Sequence, residues 1–535
     1  MKVLFVAPAF DMFPVGISYV ASSLKRAGHE IHGHVYRERA ALEGLLPGGF
    51  DLVATGGLSS QYRALSEIVQ IAHVTGLRVV AGGGIISSEP ELMVRALEPD
   101  FGVVGEGEET LVELLSCLER GGDPASVRGL AFVRGDRFVR TPDRKQISDL
   151  DALPRPDYDM LGFSEYLDHP AAAYMWDLFD HPREYPLITS RSCPFQCTFC
   201  YHPAGDRYRQ RSLDDVMAEL EAVVPRYRIN IVGVYDELFS YDEERVYEFC
   251  RRMKALQGRI GWPLRWYCQM RVSGLKEQML DAMRDSGCYL VSYGFESYSA
   301  KVLKSMKKNI RSEEIHRALH ATLDRRISIQ ANFIFGDRAE TWETANETLD
   351  FWREHRDAGI LLFFILACPD SAMYRHAVET GIISDKLDFV ANRLFDTFNM
   401  TSMSPWTFLR LRARVFRETH RHTRYVVPRR WVGDKVTVEC PHCREVIEYG
   451  NYPLPRARFM RMAYCRSCRK RFLVVSRISR ATTWLVGFGT NALTYWLYEQ
   501  LLKRRGPPPV PVPRLRPLVS DAPPILPVIG ERAGS

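Results

Sequence analysis

Pro186-Leu-Ile-Thr-Ser-Arg-Ser-Cys-Pro-Phe-Gln-Cys-Thr-Phe-Cys200 is the stretch on which the reading of this chain turns. Pro186 to Thr189 is a short apolar run that reads as a buried strand. Cys193, Cys197 and Cys200 follow at spacings of four and three. Thiolates are the preferred ligands of iron–sulfur clusters, and a fully protein-ligated cubane takes four of them. Three on one loop leave one iron without a protein ligand, and an open coordination position is where a metal site does chemistry. A partial zinc site or three structural thiols are the plainer alternatives.

Working outward, the length of 535 residues predicts several domains at roughly 100–200 residues each. A hydrophobic share of 46% with 25% charged residues supplies a sizeable core and argues against a disordered chain. Twelve cysteines without a secretory leader fit a reducing cytoplasm and metal ligation better than a disulfide framework. The opening Met1-Lys-Val-Leu-Phe-Val-Ala-Pro8 is too short for a signal peptide, and Asp11 and Pro14 interrupt it, so it reads as a first strand.

Residues 1–145 alternate strands and helices. Val3–Ala7, Ile31–Tyr36, Asp51–Thr55, Leu77–Ala81 and Phe101–Val104 read as strands, and helical spacing over Ile17–Ala27 stops at Gly28. This alternation predicts a doubly wound parallel sheet. Gly56-Gly57, Gly82-Gly83-Gly84 and Gly105-Glu-Gly107 fall at strand carboxyl ends, where backbone can approach a ligand. Residues 146–184 are turn-rich and read as a linker. A second α/β run fills 185–400, with strands at Ile229–Tyr235, Leu264–Cys268, Tyr289–Gly294, Ile327–Phe335 and Ile360–Ala367 after the first. Six such units predict a partial (βα)6 barrel, whose chemistry would sit at the strand carboxyl ends.

Beyond 400 the composition shifts. Cys440-Pro-His-Cys443 and Cys465-Arg-Ser-Cys468 are two CxxC knuckles that predict a zinc ribbon within 401–480, an auxiliary iron–sulfur cluster being the alternative. From Arg410 to Lys470 there are sixteen Lys and Arg against five Asp and Glu, an excess larger than the net charge of the whole chain. Such a patch suits phosphates of an anionic membrane surface, a nucleic acid or a phosphorylated substrate, or is a solvated face. Residues 481–505 open with eighteen uncharged residues and read as one apolar helix, lying in a membrane interface or packed on the protein's own surface. Residues 506–535 are proline-rich and read as disordered.

The triad, with Phe199 before its third cysteine, resembles the CxxxCxxC signature of the radical S-adenosylmethionine (radical SAM) enzymes. Phe13-Pro-Val-Gly-Ile-Ser18, the Gly82–Gly84 turn and Val104-Gly-Glu-Gly-Glu-Glu-Thr-Leu111 are similar to the cobalamin-binding domain that precedes many of their barrels, as in the class B methyltransferases. The resemblance implies a [4Fe-4S] cluster on Cys193, Cys197 and Cys200, with S-adenosylmethionine on its open iron. It gives Asp236 and Glu237 the methionyl ammonium, Glu296 the ribose, and the segment at Gly336 the adenine. Gly56, Gly57, Gly83 and Glu106 would line the cobalamin pocket. No Asp-x-His-x-x-Gly follows the first strand, so cobalt would carry no protein histidine, and His29, His32 and His34 read as ordinary. The implied activity is methylation of an unactivated carbon of a small-molecule or lipid-like substrate, through two molecules of S-adenosylmethionine and an electron donor such as flavodoxin or ferredoxin. Radical rearrangement, cyclisation or oxidation without methyl transfer is the alternative, and a non-catalytic zinc-ribbon binding protein lies further off.

Overall fold

A computed structural model describes residues 1–10, 12–168, 181–450, 460–505, 509–510 and 512. Five parallel strands build the first domain: β1 (Lys2–Pro8), β2 (Glu30–Tyr36), β3 (Leu52–Gly56), β4 (Arg78–Gly82) and β5 (Phe101–Val103). Their order is β2-β1-β3-β4-β5. The two-residue period of a strand splits β1 between two layers. Val3 and Phe5 pack with Leu111 and Leu114 on one face, while Leu4 and Val6 pack with Ile68 and Ala72 on the other. Strand order reverses between β1 and β3, which opens a crevice at the carboxyl edge. A hairpin that the alternation did not foretell, β6 (Leu130–Arg134) and β7 (Arg137–Arg140), adds two antiparallel strands beyond β5.

The second sheet is the expected open barrel. Its six parallel strands run in chain order: β8 (Glu184–Leu187), β9 (Ile231–Val234), β10 (Arg265–Met270), β11 (Cys288–Glu296), β12 (Ser328–Phe335) and β13 (Ile360–Phe364). The helix after the cysteine loop, Leu213–Tyr227, starts as its cap predicts, with Ser212 Oγ accepting from Asp215 N at 3.1 Å. The described part of the linker is an aromatic wedge. Phe13 from the first domain meets Tyr158 and Phe163, each at 5.0 Å, and Tyr158 Oη donates to Pro186 O at 2.8 Å.

The two domains are tied by a buried ion network. Arg191 and Arg209 face each other on a two-residue ladder beside the cysteine loop. Glu106 accepts from Nη1 of both, each at 2.7 Å, and from Ile147 N at 2.8 Å, while Arg191 Nη2 reaches Glu108 at 2.6 Å. The glycine-rich turn places Glu106 in a cobalamin pocket by resemblance; its side chain is instead engaged by guanidinium groups of the barrel and the linker backbone.

After the barrel comes the helix Pro405–His422, then two three-stranded sheets. The apolar stretch expected as one helix is two, Arg477–Gly489 and Ala492–Arg505, because Thr490 and Asn491 leave the helical conformation and Asn491 Oδ1 takes the Leu493 and Thr494 amides. No described helix is long and apolar enough to cross a membrane. Much of the basic charge is used internally: Arg410 and Arg414 lie over Trp342, Arg421 over Phe488, and Arg412 pairs with Glu499. Most of the proline-rich tail lies outside the described residues. Val510 departs from the expected disorder, since its amide donates to Asn392 Oδ1 at 2.7 Å and its carbonyl accepts from Asn392 Nδ2 at 3.2 Å.

Replacing Glu106 with alanine strands the Arg209 cation in a buried site. The expected loss is about 3–5 kcal/mol, read as an earlier or split transition in urea denaturation. Glu30→Ala, at an exposed carboxylate, is expected to leave that transition where it is.

Candidate active site

The cysteine loop leaves β8 through Thr189 and Ser190, and Asp236 at the end of β9 holds that turn. Its carboxylate accepts from Thr189 N at 2.7 Å, Thr189 Oγ1 at 2.5 Å and Ser190 Oγ at 2.7 Å. Burial pushes this carboxyl above the usual aspartate range, against the pull of those bonds. The expectation that Asp236 meets the ammonium of S-adenosylmethionine therefore needs correction: it is 1% exposed and its oxygens serve the loop. Beyond the turn, Thr198 N donates to Met306 O at 3.0 Å and Thr198 O accepts from Met373 N at 2.9 Å, which stitches the loop to two barrel helices.

The three thiols differ in their surroundings. The hydrogen bond from Cys200, helped by Lys308 and Arg271, draws Cys197 below the usual thiol range despite its burial. Cys200, the donor, is driven up, and burial raises Cys193. Lys308 Nζ pairs with Glu296 at 2.8 Å, and both side chains are about nine-tenths buried. Arg271 lies over the Phe195 ring at 3.7 Å and donates to Lys308 O and Asn309 O. A thiolate-ligated cluster carries net negative charge, so two buried cations beside a depressed thiol fit such a group. Lys308 was missed from sequence, since nothing in Lys307-Lys308 marks one lysine for burial.

A cavity of about 650 Å³ opens beside the thiols. Phe199, Glu296 and Asn332 form its inner end, and Leu362, Phe364 and Phe416 its apolar wall. Asn332 Oδ1 is buried there without a partner, as a group awaiting a polar ligand would be. Glu237 stands half-exposed on the same loop as Asp236, with its carboxylate 2.8 Å from His202 Nδ1. Gly336 ends β12 at φ +103, where a side chain would be strained, and its amide donates to Glu340 at 2.5 Å. Burial pushes Glu340 up to about 8. Cys368 also lines the cavity. A larger cavity of about 1020 Å³ lies at the amino edge of the first sheet, around Arg78, Phe101 and Arg134, remote from the thiols.

At the carboxyl edge of the first sheet, Gly83 has φ +83, and a Cβ on it would meet Gly57 O at 2.8 Å. A Cβ on Gly56 would meet Gly82 O at 3.0 Å. Close packing of the β3 and β4 ends therefore explains these two glycines, in place of the ligand space expected of them. Met12 and Leu58 are 54% and 56% exposed in the loops after β1 and β3, so the crevice at the switch point presents apolar side chains, as the flat face of a corrin requires. Tyr201, next after the triad, donates from Oη to Gly84 O at 3.2 Å. His29 bonds the chain's amino group and His32 bonds Glu30, both toward the amino edge, away from this crevice.

The four C-terminal cysteines converge. Cys440 and Cys468 sulfurs lie 3.8 Å apart, and those of Cys443 and Cys465 3.6 Å. Tetrahedral thiolates at ~2.3 Å from one zinc stand roughly 3.8 Å apart, so the set fits a single ion. Each knuckle turns through a left-handed arginine, Arg444 at φ 64 and Arg469 at φ 63. Met462 and Tyr464 beside them pack on Ile231, Tyr267 and Leu290, closing the amino-terminal mouth of the barrel, opposite the thiol triad. Among the described residues one further group gathers, His316, His320 and His355, with ligand atoms within 4.8 Å.

Comparison with known proteins agrees with both halves of this architecture. The B12 binding domain family matches residues 1–115 and the Radical SAM superfamily residues 187–351. An uncharacterized methyltransferase of Pyrococcus horikoshii is 28% identical over 336 residues, covering 61% of this chain and 70% of that one. The anaerobic magnesium-protoporphyrin IX monomethyl ester cyclase of Cereibacter sphaeroides is 28% identical over 377 residues, which span 65% of this chain and 59% of the cyclase. In fold, the chain is similar to the radical S-adenosylmethionine methyltransferase TsrM of Kitasatospora setae, solved with cobalamin and a [4Fe-4S] cluster bound, at a TM-score of 0.59 and 20% identity over 71% of this chain and 78% of that one. Cysteine triad, open barrel and preceding doubly wound domain thus agree with the relatives, and the chain carries a B12-binding domain followed by a radical SAM domain.

Proposed function

We propose that the enzyme methylates an unactivated carbon of an apolar small molecule held in the cavity beside Phe199. The observation that carries this reading is the bond from Tyr201 to Gly84, because it sets the triad loop against the cobalamin edge of the first domain. Two cofactors that must address one substrate carbon need that proximity. Bound at these sites, a [4Fe-4S] cluster supplies the electron that cleaves S-adenosylmethionine and a corrinoid supplies the methyl group. Lys308 and Arg271 balance negative charge at the triad. Glu237 receives the ammonium of S-adenosylmethionine, Glu296 and Asn332 hold its ribose side, and the Gly336 amide region meets the adenine. Asp236 acts on the thiols only through the turn it fixes. The apolar cavity wall keeps water from a reactive carbon. Flavodoxin or ferredoxin in the cytoplasm is the fitting electron donor. The four-cysteine set holds a structural zinc, since it lies at the closed end of the barrel.

The similarity to the protoporphyrin ester cyclase favours a second reading, ring formation without methyl transfer. Product analysis separates the two: 5′-deoxyadenosine together with S-adenosylhomocysteine marks methyl transfer, and 5′-deoxyadenosine alone marks the second reading.

Anaerobically reconstituted Cys197→Ala is expected to lose both the cluster absorbance and 5′-deoxyadenosine release; cleavage retained in that variant refutes the site. Glu237→Ala should keep the cluster and raise KM for S-adenosylmethionine about tenfold or more, whereas Asp236→Ala should lower cluster occupancy. Protein purified with hydroxocobalamin should show a visible spectrum free of histidine ligation. Metal analysis of Cys443→Ser should find zinc lost and the triad cluster kept, with a lowered Tm; iron at this position in the unaltered protein would make the ribbon an auxiliary cluster.

A further inference from the structure

The substrate cavity reaches outward to Tyr495, on the Ala492–Arg505 helix. This helix and its predecessor, Arg477–Gly489, both rest on Pro405–His422. Phe416 meets Tyr495 and Tyr498 at 5.2 and 5.5 Å, and a Cβ on Gly487 would stand 3.4 Å from Arg421 Cα. Among the described residues nothing covers most of their other faces: Trp484, Leu485, Phe488, Leu493, Trp496 and Leu497 are 45% to 61% exposed. Single exposed apolar residues are ordinary, but a run across two neighbouring helices is an interaction surface.

Charge, composition and length select what covers it. Between Arg477 and Arg505 the sequence holds five Lys and Arg and one acid, Glu499, and that acid is taken by Arg412. Trp484 and Trp496 on the bare face favour the boundary between hydrocarbon and water. The helices have 13 and 14 residues, about 20 Å each at ~1.5 Å per residue, too short for a hydrocarbon core of ~30 Å. At the cavity mouth Phe363 and Phe395 are 50% and 70% exposed, so apolar surface continues from the helices into the cavity. We propose that the two helices seat the enzyme on an anionic bilayer surface and that its substrate is an apolar, membrane-borne molecule drawn from there into the cavity. The substrate half rests on the reading of that cavity as the methylation site.

The test is sedimentation of the full-length holoenzyme with phosphatidylcholine vesicles, with and without phosphatidylglycerol. Binding to the anionic vesicles is expected, weakening with salt. Trp484→Glu with Leu497→Glu should reduce it about tenfold or more, and Arg477→Glu with Arg480→Glu should remove the preference for phosphatidylglycerol. Both variants should still release 5′-deoxyadenosine, so failed docking is distinguishable from a failed enzyme reading. Absence of vesicle binding, binding unchanged in the apolar double variant, or self-association abolished by that variant without vesicle binding each overturns the docking. With methyl-labelled S-adenosylmethionine and the host's membrane fraction, label is expected in the organic-soluble products; label confined to water-soluble products overturns the substrate half.

A separate observation concerns His316, His320 and His355. The first two are one helical turn apart on Ser312–Asp324, and the third follows Trp342–Glu354. His355 Nδ1 lies 2.9 Å from Phe351 O, which fixes the proton there and leaves Nε2 as a ligand atom, the arrangement that orients metal-bound histidines. Ligand nitrogens of all three gather within 4.8 Å on the outer face of the barrel. We infer a first-row transition-metal site here, completed by water, distinct from both cysteine sites. Cu²⁺ titrated into zinc-loaded holoenzyme should fill one extra equivalent with an electron paramagnetic resonance signal of nitrogen ligation, weakened about tenfold or more in His320→Asn. No extra equivalent, or one unchanged in that variant, overturns the site.

Discussion

The structure depends on one buried carboxylate between two domains. Glu106 lies at the carboxyl end of the first sheet and accepts from Arg191 and Arg209, which flank the cysteine loop of the barrel. A buried charge pair contributes little net stability over an apolar contact, yet breaking one is costly, so its value lies in geometry. Tyr19 adds to it, with Arg191 over its ring at 5.1 Å and Arg211 within reach of its hydroxyl. The tie sets the carboxyl edge of the first sheet against the cysteine loop of the barrel.

Positioning of the triad follows the same logic on a smaller scale. Asp236 is buried, and the turn it holds aims the loop that carries all three cysteines. Lys308 pairs with Glu296, whose left-handed backbone, φ 62, falls where the β11 register shifts against β12. The expected ribose acid thus arrives with a cation attached, and that cation also helps to hold Cys197 low.

The C-terminal elements divide between the two ends of the barrel. The sheets that carry the four C-terminal cysteines close the amino-terminal mouth with apolar side chains, where strand ends would otherwise lie open. The helices Pro405–His422 and Ala492–Arg505, through Phe416 and Tyr495, form the outer wall of the cavity at the other end. One end is sealed and the other left accessible, as a (βα)6 barrel with chemistry at its strand carboxyl ends requires.

From sequence alone, the parallel strands of both sheets, the triad and the paired knuckles were legible, because each rests on local periodicity or on fixed spacing within one loop. The six barrel strands fell where apolar runs ended in polar residues, and the pairing of Cys440 and Cys443 with Cys465 and Cys468 followed from ligand chemistry. Roles that depend on which way a side chain faces were not legible. Asp236 and Glu237 are neighbours in the chain, yet one is sealed against Thr189 while the other faces His202, since successive residues past a strand end point apart. Glu106 sits in a glycine-rich turn that looked like a ligand cradle, and only the approach of Arg191 and Arg209, 85 and 103 residues away, makes it an interdomain link. Gathering of His316, His320 and His355, and the bare faces of the last two helices, likewise exist only once distant segments have packed. Local pattern determines elements and ligand sets; long-range packing decides which polar groups are buried together, and burial decides their chemistry.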